Sequence, residues 1–149
     1  MATAMHRRVR DAVDLLAGEA LSARAGPAEL SAAWASVAAE LGRYRRCEQQ
    51  RAVPLLTARH PDAAAALEQL AARHAALAVA GERVSAGITA LVVDGGPPVR
   101  ERLGDALRRL RRLLDEHDQA REAVLRGLHP PLSPRDLAEV YRSDDLGVS

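Results

Sequence analysis

The sequence predicts an all-α chain: an antiparallel up-down-up-down four-helix bundle followed by a short C-terminal helix. Three observations carry this. No stretch alternates apolar and polar residues with the period of two that a half-buried strand needs. Four long stretches instead repeat apolar residues at steps of three and four, which is one face of a helix. Gly and Pro then punctuate the chain at 26–27, at 94–98 and, after His, at 60–61 and 129–131. Connections that short join neighbouring, antiparallel helices. With 149 residues, the chain is one domain, long enough to bury a core. Residues 1–131 are expected to form the bundle, and 132–149 a short helix and tail.

Taken in order, the first helix carries Ala2, His6, Val9, Val13, Leu16 and Ala20 on one face. It weakens at Gly26-Pro27, and Pro27 suits the first turn of the next helix, where its missing N–H costs nothing. The second helix shows Leu30, Trp34, Val37, Leu41, Tyr44 and Glu48 on its inner face and runs to about Arg59, with a kink at Pro54. His60-Pro61 ends it, because a residue before Pro avoids the helical region. The third has the cleanest stripe: Leu67, Leu70, His74, Leu77, Gly81, Val84, Ile88 and Leu91. The strongest breaker, 94–98, follows. The fourth carries Leu103, Ala106, Leu110, Leu113, His117, Ala120 and Val124, widened by Leu107, Leu114 and Leu128. Ser133-Pro134-Arg135-Asp136 reads as N-cap, first-turn Pro and capping acid of a terminal helix that packs Leu137, Val140 and Tyr141.

Composition excludes some functions. The net charge is +1, so nothing in the total calls for nucleic acid or a membrane surface. Phe, Lys and Asn are absent, which fits a GC-rich coding sequence and leaves the Arg residues little functional meaning. The single Cys47 makes no internal disulfide and suits a reducing cytosol. Charges run through the first twenty residues, unlike a signal peptide, and no uninterrupted apolar run has the length of a membrane span. A cytoplasmic protein, monomeric or weakly dimeric, is expected. No Gly-rich phosphate loop appears, so no organic cofactor is expected. The basic run Arg108, Arg109, Arg111 and Arg112 reads as a solvated face, since no aromatic platform accompanies it. His60 and His129, each before a Pro, are expected to be exposed.

Each long helix has one polar interruption of its apolar stripe: His6, then Tyr44 with Glu48, then His74, then His117. Counting ~1.5 Å per residue from the connected helix ends puts Glu48, His74 and His117 roughly 16–18 Å into the bundle. All four interruptions can therefore share one layer. A buried carboxylate is costly unless it is paired or binds a metal. Imidazole and carboxylate ligands on facing helices are how bundles hold transition metals. The other resolution is a buried salt bridge between Glu48 and Arg121, with no metal.

These residues resemble the hemerythrin-like, or HHE cation-binding, family, over about residues 2–130. Met5-His6-Arg7-Arg8 matches its helix 1 element. Tyr44-x-x-x-Glu48 with Pro54 matches its His-x-x-x-Glu element in spacing, with Tyr44 in place of the His. Arg73-His74 matches the third, and Asp115-Glu116-His117 the fourth. Arg121 stands where the helix 4 acid is usual, and Glu122 follows at a spacing the oxygen carriers use. The resemblance implies one or two iron ions on His6, Tyr44, Glu48, His74, His117 and Glu122. It implies a protein that binds or reduces O2, peroxide or nitric oxide, or uses one to oxidise a small substrate as a non-heme di-iron oxidoreductase. A metal-free bundle serving as a binding or regulatory module, and an iron or oxygen sensor or storage protein, are the alternatives.

Overall fold

The computed structural model describes residues 4–22 and 24–142. Ala2 of the first stripe and the tail 143–149 lie outside these. Among the described residues the chain is all-helical, with no strand. The helices are α1 (Ala4–Ser22), α2 (Pro27–Cys47), α3 (Val53–Arg59), α4 (Ala64–Val93), α5 (Pro97–Arg126) and α6 (Pro134–Val140). Four long helices close a ring of contacts: α1 packs on α2 and α5, and α4 packs on α2 and α5. Their inner stripes form the main core, which includes Val9, Val13, Leu30, Val84, Leu107 and Leu110.

The helix starts follow the local chemistry. Gly26 and Gly96 take extended N-cap conformations ahead of Pro27 and Pro97. The Asp94 carboxylate accepts from the Gly96 N–H at 3.0 Å, which tightens that turn. Ser133 and Asp136 form the expected capping box: the Asp136 N–H donates to Ser133 Oγ at 3.1 Å, and the Ser133 N–H to Asp136 Oδ2 at 3.0 Å.

The second helix departs from expectation at Pro54. A π-helical turn over Glu48–Ala52 separates α2 from α3, and the Val53 N–H bonds Glu48 O, five residues back. Proline has no N–H to give its preceding turn, so the ladder there must change. The wide turn also sets the register. Tyr44, Glu48, Ala52 and Leu56 are all buried at steps of four. On a regular helix each such step overshoots by about 40°, and three would carry Leu56 about 120° off the face. The π turn absorbs that excess and keeps all four on the core.

The α5 stripe also differs from its sequence reading. The fully buried series is Leu103, Leu107, Leu110, Leu114, His117 and Arg121, while Ala106, Leu113 and Ala120 flank it half-buried. A charged residue thus holds a core position. His60 is buried at 4 % exposure rather than exposed, with Nδ1 3.3 Å from the His129 carbonyl. The α3–α4 corner packs there against the α5–α6 turn. Around it lies a second apolar cluster of Ala52, Leu56, Leu67, Leu128 and Val140. Among the described residues α4, with the turn before it, is long and apolar enough to cross a membrane. It also lays Leu67, Leu70, Leu77, Val84, Ile88 and Leu91 into the core, as a bundle helix does.

The core carries the stability. Leu110→Ala removes a side chain with no exposed surface and is expected to cost about 2–5 kcal/mol. Leu15→Ser, on a side chain 66 % exposed, is expected to stay within about 0.5 kcal/mol of the parent. Urea midpoints at constant m-value measure both.

Candidate metal centre

Between the two apolar clusters lies a polar layer. On α2 and its π turn it falls between Leu41 and Ala52, on α4 between Leu67 and Leu77, and along α5 between Leu114 and Leu128, just past the helix end. His6, Tyr44, Glu48, His74, His117 and Arg121 are each at most 2 % exposed. Glu48 opens the π turn, one helical turn after Tyr44 and on the same buried face.

Glu48 Oε1 accepts from His74 Nε2 at 3.0 Å. Nε2 of His117 approaches the same oxygen at 2.6 Å. One atom from each of Glu48, His74 and His117 lies within 4.8 Å of the others, and all three residues are buried. Ligands at about 2.0–2.2 Å from a shared ion stand close to 3 Å apart, the scale of these separations. Glu48 Oε2 and Nδ1 of His117 are buried without a hydrogen-bond partner. Buried orphans of this kind call for an explanation, and a cation between them supplies one. The donor set fits a transition metal: two imidazoles and one carboxylate. Burial alone would raise the Glu48 pKa, but His117 and His74 outweigh it and bring the carboxyl down to about 2. The group is thus a carboxylate held between two imidazoles.

The remaining sequence candidates sit beside this group. The Tyr44 ring touches His6, His74 and His117, with centroid distances of 6.0, 5.6 and 5.7 Å. Arg121 Nη1 donates to the Tyr44 hydroxyl at 3.1 Å. Burial and the Glu48 charge keep that phenol protonated, with its pKa well above the usual value. Arg121 also pairs with Asp118, one turn back on α5. Its ion pair is therefore with Asp118, while Glu48 contacts the two histidines. His6 Nδ1 is 4.0 Å from Asp118, and burial, opposed by Asp118, lowers the His6 pKa to about 4. Glu122 is half-buried. Neither His6 nor Glu122 belongs to the convergent group. Cys47 is buried beside the layer, its thiol pKa raised chiefly by that burial.

Two participants escaped the sequence reading. Asp118 anchors Arg121, and its signal was an acid three residues before a basic residue on one helix face. Tyr141, at the end of α6, lies under the Arg121 guanidinium at 5.5 Å, so the terminal segment covers the layer as well as the second apolar cluster. No model of a known protein family, no curated protein and no solved structure matches this chain.

Metal-free protein is expected to lose stability as the pH falls from 6.5 to 4. Folded His6 takes its proton near 4, whereas the unfolded residue takes it near 6.5. In that interval the unfolded chain binds more protons, so acid favours it. His6→Leu should flatten this limb while leaving the Glu48 limb, between about 4.5 and 2. Urea titrations across this range, without metal, make the comparison.

Proposed function

We propose that this chain is a non-heme iron protein of up-down-up-down bundle order. It holds one metal ion on Glu48, His74 and His117, and its partner is a small oxidant such as O2, peroxide or nitric oxide. The observation that carries the reading is the buried convergence of two imidazoles and a carboxylate. That donor set, with positions left open, is the one mononuclear non-heme iron(II) centres use. The resemblance of the motif residues to the hemerythrin-like family supports iron, and the short connections support the helix order. When bound, the metal would supply an open coordination position and one-electron chemistry for the oxidant.

The protein's own groups account for the rest. Glu48 contributes the negative charge a cation needs inside a low-dielectric layer. The main core on one side and the second apolar cluster on the other limit water. Arg121 is a fixed internal cation, tied to Asp118 and to the Tyr44 hydroxyl. Its charge disfavours a second metal ion in the same layer, because like charges repel strongly where the dielectric is low. Tyr44, in this reading, is a positioning residue: its ring wedges between the histidines and its hydroxyl holds Arg121. His6 and Glu122 lie outside the ligand set.

Protein purified without an affinity tag and loaded anaerobically should bind one iron ion per chain, measured by elemental analysis. Chelation should lower its melting temperature, because an unfolded chain has no preformed site. Glu48→Ala, His74→Ala and His117→Ala should each abolish stoichiometric iron and the effect of chelator. Tyr44→Phe and Glu122→Gln should keep one ion. Two ions per chain, or a visible phenolate band that Tyr44→Phe removes, would return Tyr44 to the ligand set and overturn the single-ion reading. Protein that takes up no iron, or prefers zinc, overturns the assignment and leaves a metal-free or structural-metal bundle.

A further inference from the structure

A cavity of about 260 Å³, half open to solvent, lies between α2 and α4, with Tyr44 and His74 among its walls. It exists because facing positions are small. Ala38 and Gly42 on α2 and Ala78 and Gly81 on α4 line it, so no large side chain from these positions fills the gap. Trp34 and Leu77 form the apolar sides. Trp34 is held in place, since its Nε1–H donates to Ser85 Oγ at 2.8 Å. Its benzo edge lies over the bare Gly81 backbone: a Cβ there would meet Cζ2 at 3.7 Å and Cη2 at 3.8 Å.

We infer that this cavity is a binding site for a neutral, single-ring aromatic molecule about the size of phenol, seated beside His74 and Tyr44. Size sets the first limit. An apolar cavity of about 150 Å³ holds benzene, and drug-sized ligands take about 300–1,000 Å³. A diatomic oxidant leaves most of this space empty. Charge sets the second. Arg45 and Glu82, both exposed, stand at the cavity with opposite signs, and the Tyr44 hydroxyl is already engaged by Arg121. These opposite, solvated charges offset each other, so the site selects neither sign of ionised ligand over a neutral one. Shape sets the third: a slot floored by glycine and alanine and walled by a pinned indole suits a flat ring, which gains edge or offset contact with Trp34. The significance of a ring beside the centre rests on the metal reading above; occupancy of the cavity does not, because the walls are protein alone.

Trp34 is the only tryptophan of the chain, so its fluorescence, excited at the red edge of the indole band, reports the cavity directly. Metal-free protein should show a saturable change with phenol. The response should be weaker with cyclohexanol, and weaker still with benzoate or benzylamine. Gly81→Leu should weaken phenol binding by about tenfold or more. Gly81→Ala meets only ordinary contacts and replaces a helix-interior glycine, so it should melt at or above the parent temperature and still bind phenol less tightly. That variant keeps the test decisive if the leucine is not accommodated. Phenol that fails to saturate, benzoate that binds as well as phenol, or binding indifferent to both Gly81 changes overturns the inference. Phenol binding in a protein that takes up no iron defeats the metal reading alone. One iron per chain with no phenol binding defeats the cavity inference alone.

Discussion

Burying the carboxylate of Glu48 between two apolar clusters is the constraint from which the rest of this structure follows. An isolated carboxylate in such a place costs several kcal/mol. Here His74 and His117 answer it from two other helices, on one oxygen, and hold it ionised. Three elements must therefore reach one point in register. That fixes how far α4 and α5 slide along α2, which apolar packing of Leu and Ala by itself leaves comparatively loose. The second Glu48 oxygen and Nδ1 of His117 remain unspent. The layer is thus complete enough to fold and still has capacity to hold a ligand.

The other half of the layer solves a second electrostatic problem. Arg121 is fully buried, and no such guanidinium survives without partners. Asp118 supplies its countercharge, the Tyr44 hydroxyl a directed acceptor, and the Tyr141 ring a face. Tyr44 is the hinge between the halves, since its ring packs on the imidazoles while its oxygen belongs to Arg121. Neutral His6 lies at the same level, displaced from the convergent group by this arrangement. A chain with a small residue at 121 would have a different layer, not merely a weaker one.

Pro54 shows how a local rule reaches the candidate site. It forbids one helical hydrogen bond, and the chain answers with a π turn that begins at Glu48. Such turns recur at functional sites because they re-aim side chains without ending the helix. The same turn keeps Ala52 and Leu56 on the core face, where α6 covers them. Arg51, on the outer side, donates to the Glu139 carbonyl in α6 and to the Arg142 carbonyl just beyond it. The lid over the layer is thereby tied to the turn that creates it.

The sequence by itself determined the helices, their starts and stops, and most of the inner stripes. These depend on periodicity, Pro, Gly and caps, all of which act within a few residues. It also determined that His6, Tyr44, Glu48, His74 and His117 interrupt apolar faces, and all five are buried. The tertiary structure decided which of them converge. Sequence spacing places a residue on a face, but it cannot say which nitrogen meets which oxygen across three helices. Arg121 is legible as a possible partner of Glu48, yet its place on the stripe is hidden because a charged residue breaks the apolar pattern there and Ala120 continues it. Asp118 and Tyr141, which satisfy it, come from another turn and another helix. The π turn left only a faint trace, four buried positions at steps of four before and after a proline. Its consequence for Ala52 and Leu56 appears only when the neighbouring helices fix where the core lies.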